Sequence, residues 1–204
     1  MPRLRDPMTV DMVFSIRGSR IPRDHGFALW RALRACLPWL DAEAHAGIHA
    51  IRGAPANDDM LLLGQRAKLV LRLPEARVAD AQSLTGRRID LDECVLQIGS
   101  AKPRSLPAFA TLYSHLVCTG SDDELDFLRD VAAQLEQIGV ACEVICGKQR
   151  ALRAERAEIR GYGLMLHEVK LEQSTLLQEI GLGDNRKLGC GIFVPHKSIA
   201  AVAA

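Results

Sequence analysis

The densest run of chemically useful residues lies near the C-terminus: Gly181-Leu182-Gly183-Asp184-Asn185-Arg186-Lys187-Leu188-Gly189-Cys190-Gly191. The glycines Gly181, Gly183, Gly189 and Gly191 bracket two adjacent cations, Arg186 and Lys187. Glycine accepts positive φ and lets a backbone approach a ligand closely. Exposed backbone N–H groups in such loops bind phosphate oxygens. Arginine adds a planar fork of donors, and lysine a point charge. The spacing is not a dinucleotide fingerprint, because a helix precedes the segment and a strand follows it. It is not a Walker loop, because no GK[ST] occurs. Phosphate or RNA binding is the chemistry this segment suggests. A helix cap followed by a turn and a small-residue strand start is the plain alternative.

A second group of cations, Lys148, Arg150, Arg153, Arg156 and Arg160, is diluted by Glu155 and Glu158. If the stretch is extended, Arg150, Arg156 and Arg160 share one parity and Arg153 the other. If it is helical, Lys148, Arg153, Arg156 and Arg160 lie near one face. Either form can grip phosphates, although a solvated charged face is the commoner use of such runs. Histidine can accept or donate a proton near neutral pH. His25 directly follows Asp24, the expected helix cap, which places it in the first helical turn. His49 lies between Ile48 and Ile51 in a glycine-bounded segment, Gly47 to Gly53, where a core or edge-strand histidine is equally plausible. His45, His115, His167 and His196 are expected bystanders.

The residues do not assemble a metal set by spacing. His45 and His49 are four apart, but Gly47 weakens a helix between them. Asp122-Asp123-Glu124 is explained by helix capping, and Asp58-Asp59 is an isolated acidic pair. None of the six cysteines forms a CxxC pair, and most flank Leu, Val or Ile. They read as buried reduced thiols, which implies a cytoplasmic protein. Neither a metal nor a cofactor is expected.

These residues must be positioned by regular elements. Val10, Met12, Phe14 and Ile16 alternate as a strand. A loop spans Arg17 to Arg23. A helix carries Leu29, Leu33, Cys36, Leu37 and Leu40. Short strands follow at residues 47–53, 60–64 and 68–73, then a helix with Val78, Ala81 and Leu84, then a strand within 94–98. Lys102 to Pro107 reads as an extended linker, and the pattern then restarts. Leu112 to Cys118 is a strand, and Ser121 with Glu124 forms a capping box. The helix that follows carries Leu125, Leu128, Val131, Ala132, Leu135 and Ile138 on one face and stops at Gly139. Strands at 142–146 and 159–169, a helix at 171–180 and a strand at 190–194 complete the chain. Two successive βαββαβ units predict an α+β protein of tandem ferredoxin-like domains, at 1–102 and 108–204.

The chain has 204 residues, 48% of them hydrophobic, which excludes disorder as its main state. No apolar run is long enough for a membrane helix, so no membrane partner is expected. The basic start, Met1 to Asp6, lacks the apolar stretch of a signal peptide. The net charge of +1 argues against a uniformly basic nucleic-acid binder. Yet residues 148–160 hold five cations against two anions, so the basic charge is local. With nine aromatic residues in all, extensive base stacking is not expected.

The glycine-rich segment between the last helix and last strand, followed by apolar Ile192 to Val194, resembles the hallmark of the RAMP superfamily. More narrowly, the chain resembles the CRISPR-associated endoribonucleases that cut precursor CRISPR RNA within each repeat, in their short Myxococcus-type branch. Asp24-His25-Gly26-Phe27-Ala28-Leu29, Leu37-Pro38-Trp39-Leu40 and Gly47-Ile48-His49-Ala50-Ile51-Arg52-Gly53 carry that narrower likeness. The resemblance covers both halves of the chain and implies paired ferredoxin-like domains. It implies metal-independent cleavage of a CRISPR repeat hairpin through the 2′-hydroxyl, leaving a cyclic phosphate. It also implies a histidine in or beside the first helix as general acid or base, so His25 is the first candidate and His49 its rival. Contacts to RNA are expected from Arg23, from the cations at 148–160, and from the glycine loop with Arg186 and Lys187. Members of the family often stay on the mature guide as subunits of a type I or transposon-associated complex. A non-catalytic RNA-binding scaffold of the same superfamily is the alternative reading, and a small-molecule-binding ferredoxin-like protein a weaker one.

Overall fold

In the computed structural model, residues 9–57 and 59–197 are described. The basic start Met1 to Asp6 and the acidic residue Asp58 lie outside them. The chain divides into two compact units, with the boundary between Ser105 and Leu106.

The first unit runs β1 (Thr9–Arg17), β2 (Arg20–Pro22), α1 (Gly26–Cys36), β3 (Gly47–Ile48), β4 (Ala54–Pro55), β5 (Met60–Leu62), β6 (Lys68–Pro74), α2 (Val78–Gln82), β7 (Arg88–Leu91) and β8 (Cys94–Ser105). Its main sheet has the order β3-β6-β1-β8-β7, and β2-β5-β4 form a separate small sheet. Leaving out the β7 edge, β1, β3, β6 and β8 take the strand order of a ferredoxin-like domain. Met12, Phe14 and Ile16 alternate into the core against Leu69, Leu71 and Leu73 of β6. Leu29 and Leu33, four apart on α1, cover the same core. Each such side chain, fully buried, contributes about 1.5–3 kcal/mol.

The period-2 pattern also places the opposite face. Asp11 stands between Arg72 of β6 and Arg104 of β8, in register with both. Lys102 to Ser105, expected as linker, is instead the second half of β8, paired with β1 from Val13 back to Val10. Pro103 is tolerated there because β7 pairs with β8 only over Cys94 to Gln97, so the proline sits where β8 has an open edge.

The second unit runs β9 (Leu112–Val117), α3 (Glu124–Gln137), β10 (Glu143–Arg153), β11 (Glu158–His167), α4 (Leu171–Ile180) and β12 (Val194–Pro195), with strand order β10-β11-β9-β12. This is the same ferredoxin-like order, with every pairing antiparallel. Its core joins Leu112 and Val117 to Phe127, Val131 and Leu135 of α3 and to Leu164 and Leu166 of β11. The cap of α3 is Asp123, not Ser121: its carboxylate accepts from the N–H groups of Leu125 at 2.9 Å and Asp126 at 3.1 Å. Ser121 instead donates to Asp130, at 2.8 Å. The last strand is shorter than expected, because residues 190–193 belong to the packed glycine loop. The cysteines among the described residues are free thiols; Cys94, Cys118 and Cys190 are buried and the other three partly so.

Candidate active site and RNA-binding surface

His25 is the N-cap of α1 rather than a first-turn residue, and it is only 3% exposed. Asp24 is therefore not the cap. The imidazole Nδ1 lies 2.9 Å from the Pro22 carbonyl and 3.1 Å from that of Arg23. Carbonyls only accept, so Nδ1 carries the proton. The Ile51 N–H donates to Nε2 at 2.9 Å. Both ring nitrogens are thus committed to backbone, and His25 ties the β2–α1 connection to the segment after β3. Burial pushes its pKa down, with the two carbonyls opposing. The folded state holds the neutral ring, while the unfolded state titrates near the ordinary value. The stabilisation is therefore present above about pH 6.5 and is lost as the pH falls below it. His25→Ala strands a buried N–H and should cost about 2–3 kcal/mol. Thermal unfolding at pH 7.5 and 5.5 checks this: the variant melts lower than wild type at pH 7.5, and the gap narrows at pH 5.5.

His49 follows β3, and its N–H donates to the Val70 carbonyl at 3.0 Å. This sets its side chain on the sheet face that carries Asp11 and Arg72. Its Nε2 is buried and lies 3.3 Å from Asp11 Oδ1, short of an aligned hydrogen bond. The ring as a whole keeps 15% exposure. Arg72 donates to Asp11 twice, Nε to Oδ1 at 2.8 Å and Nη2 to Oδ2 at 3.1 Å. Arg104 donates Nη2 to Oδ2 at 3.1 Å, with its side chain 61% exposed. Burial alone would raise the Asp11 pKa, but His49 and Arg72 hold it well below the carboxylate range. Burial, reinforced by Arg72 and Arg104 and opposed by Asp11, lowers the pKa of His49, so its ring is neutral at pH 7.

One carboxylate and two guanidiniums leave this cluster a net positive charge, with the exposed share on Arg104. A neutral imidazole beside a surplus cation can take a proton from a hydroxyl and hold a phosphate oxygen. The sequence reading missed Asp11, Arg72 and Arg104. The available signal was Arg72, a charge inside the apolar run Leu69 to Leu73.

The glycine loop is built differently from expectation. Gly181, Gly183, Gly189 and Gly191 all have positive φ, between 64° and 98°. Most of its N–H groups are spent inside the fold. Gly183 donates to Gln134 Oε1 at 2.8 Å, Asp184 to the Cys118 carbonyl at 2.8 Å, and Gly191 to the Leu116 carbonyl at 2.7 Å. Cys190 donates to Asn185 at 3.2 Å, and Gly189 to Arg186 at 3.1 Å. Arg186 folds its guanidinium beneath Gly181, with all its nitrogens buried, so it braces the loop rather than facing solvent. Lys187 sits beside it in a 3-10 turn, Arg186–Leu188, and is half-buried. The phosphate-cradle expectation is corrected on these two points, the spent amides and the buried Arg186.

Of the two forms expected, the basic stretch takes the extended one, as the β10–β11 hairpin closed by an Ala154-to-Ala157 hydrogen bond of 2.8 Å. Lys148, Arg150, Arg153, Arg156 and Arg160 are all exposed. Arg150 opposes Gly161, and Leu152 opposes Ile159. Leu152 and Ile159 pack with Leu188 and Cys190 of the glycine loop, so Arg150 shares that face of the sheet. Arg153 and Arg160 point to the other face, because the turn offsets the parity expected for Arg150 and Arg160. Arg160 is held by Glu158 at 2.6 Å and lies 3.8 Å from Asp122. Arg23, in the first unit, is exposed, and its Nη2 donates to the Ala56 carbonyl at 3.4 Å. Tyr162 is committed to structure, donating to the Asp122 carbonyl at 2.7 Å.

Residues 10–198 match the model of the family described as Cas6 Crispr. The chain belongs to the Cas6 family. It is 31% identical over 194 residues to the CRISPR-associated endonuclease Cas6 of Myxococcus xanthus strain DK1622, across 95% of this chain and 84% of that protein. Its fold resembles a Cas6-related protein from Pyrococcus furiosus, with a TM-score of 0.66 and 15% identity over 91% of this chain and 97% of the other. It also resembles Thermus thermophilus Cse3 bound to an RNA representing a pre-cleavage complex, with a TM-score of 0.52 and 16% identity over 91% and 98% of the two chains. This Cas6 chain therefore has the tandem ferredoxin-like architecture of those structures. No helix among its described residues is long and apolar enough to cross a membrane.

Proposed function

We propose that this Cas6 chain is the endoribonuclease that binds a repeat hairpin in precursor CRISPR RNA and cuts it without a metal ion, with His49 as the proton acceptor. The observation that carries the reading is the contrast between the two candidate histidines. His25 has both ring nitrogens bound to backbone, whereas His49 stands beside Asp11 with the cations Arg72 and Arg104 around it.

The reaction needs few groups. The 2′-hydroxyl gives its proton to His49 as its oxygen bonds to phosphorus. The bond from phosphorus to the 5′-oxygen breaks, and that oxygen takes a proton from water. The products are a 2′,3′-cyclic phosphate and a 5′-hydroxyl, and His49 returns its proton to solvent. Arg104 stabilises the negative charge gathered on the phosphorus oxygens. The first unit, which ends at Ser105, supplies this chemistry. The second, 108–204, supplies RNA affinity through its basic hairpin and the loop face beside Arg150. The protein works in the cytoplasm and stays with the mature guide as a subunit of a CRISPR or transposon-associated complex.

Incubation of the protein with a repeat RNA in EDTA tests the proposal. The expected result is one cut, whose upstream product resists ligation at its 3′ end until the cyclic phosphate is opened and the remaining phosphate is removed. Binding without cutting, with or without added magnesium, would support the scaffold reading instead. Arg150→Ala should weaken repeat binding several-fold and reduce the slope of log affinity against log salt by about 1, with the cutting rate at saturation kept. Titrations at several salt concentrations read both quantities.

A further inference from the structure

The Asp11 carboxylate is an unusual group to find where it is. It is 3% exposed in the middle of a sheet, and Arg72, its main partner, is 1% exposed. A buried pair of this kind is often no more stable than an apolar pair of the same size. Stability alone therefore does not account for it, and the neighbour it leaves incompletely matched is His49. The fork of Arg72 fixes the plane of the carboxylate with two hydrogen bonds, and Arg104 holds Oδ2 from the far side. Oδ1, the oxygen that receives Arg72 Nε, is the one 3.3 Å from His49 Nε2. An ionised carboxylate only accepts hydrogen bonds.

We propose that Asp11 is the positioning residue for His49: clamped by Arg72, its carboxylate holds the ring with the proton on Nε2 and so leaves the Nδ1 lone pair to take the proton from the 2′-hydroxyl. The inference rests on the reading of His49 as the proton acceptor and adds which nitrogen does the work and what sets it. The long contact closes as the site tightens around RNA, as hydrogen bonds in empty active sites commonly do. Arg72 then acts at one remove, by keeping Asp11 from rotating away.

The test is nitrogen-15 histidine NMR on the full chain at pH 7.5, with the His49 signals identified by their loss in His49→Gln. Wild type should show His49 protonated on Nε2 alone, and Asp11→Asn should give a mixed or reversed tautomer. The single-turnover cutting rate of Asp11→Asn should fall at least 100-fold with repeat affinity unchanged. Should Asp11→Asn fail to fold, Asp11→Asn with Arg72→Met removes both buried charges, and the same spectrum is read. Wild-type His49 protonated on Nδ1, or a tautomer unmoved by loss of the carboxylate, overturns the inference. Cutting that persists in His49→Ala overturns the proton-acceptor reading instead, and the spectra separate the two failures.

Discussion

His49→Ala should lose cutting by about 100- to 10,000-fold while binding the repeat as wild type does. A positioned general base contributes a factor of this size, and nothing else among the described residues of this cluster can replace it. Asp11 is held ionised but faces inward between two arginines, and the guanidiniums of Arg72 and Arg104 have no lone pair with which to accept a proton. The side chain is only 15% exposed, so some loss of stability accompanies its removal and the rate is read per folded protein. His25→Ala should behave in the opposite way. Its damage appears in the melting curve, and the surviving folded fraction should cut at close to the wild-type rate. A single-turnover assay with protein in excess, alongside a filter-binding titration, separates these outcomes. Equal losses of rate in both variants after correction for folded fraction would count against assigning the chemistry to His49.

The second large effect is on the fold of the glycine loop. Gly183 has a φ of 69°, and a Cβ there would overlap the carbonyl of Cys118, which is backbone and cannot swing aside. Left-handed φ costs a non-glycine residue about 1–2 kcal/mol. Forcing the loop away from the end of β9 adds about 1–3 kcal/mol and breaks the Asp184 and Gly183 hydrogen bonds with it. Gly183→Ala should therefore lose about 2–5 kcal/mol, or about 4–20 °C of melting temperature for a chain of this size. Gly139 supplies the control. Its φ is 70°, but a Cβ there meets nothing within 4 Å, so Gly139→Ala pays only the backbone term of about 1–2 kcal/mol. Differential scanning calorimetry of the two variants measures the difference. Equal small losses would show that the loop is not packed as described.

Much of the architecture was legible because it follows from periodicity. The alternation of Val10 to Ile16 fixed a strand and its core face, and the helix expected at 171–180 is α4. The second βαββαβ unit could be read as a restart because each unit repeats the same order of periods. What misled was composition without partners. Lys102-Pro103-Arg104 has the residues of a linker, yet it forms a strand because β1 offers an edge to pair with. Asp123 and Ser121 are both good caps, and only the backbone path decides between them. The glycines correctly marked a loop of positive φ, but spacing cannot say whether its amides face a ligand or the fold.

The contrast between the two histidines was hidden for the same reason. The value of His49 depends on Asp11, 38 positions earlier, and that contact exists only because the β3, β6 and β1 strands lie side by side in this order. His25 looked the better candidate by its place at a helix start, and its burial against Pro22, Arg23 and Ile51 could not be seen from that place.

The most direct test of the central claim uses the substrate rather than the protein. A repeat RNA carrying a single 2′-deoxy nucleotide on the 5′ side of the cut is incubated with wild-type protein in EDTA. It should bind with unchanged affinity and stay uncut, because the nucleophile whose proton His49 accepts is gone. Cutting of that RNA at the same position and a similar rate would contradict it, since the attacking oxygen would then have to be water.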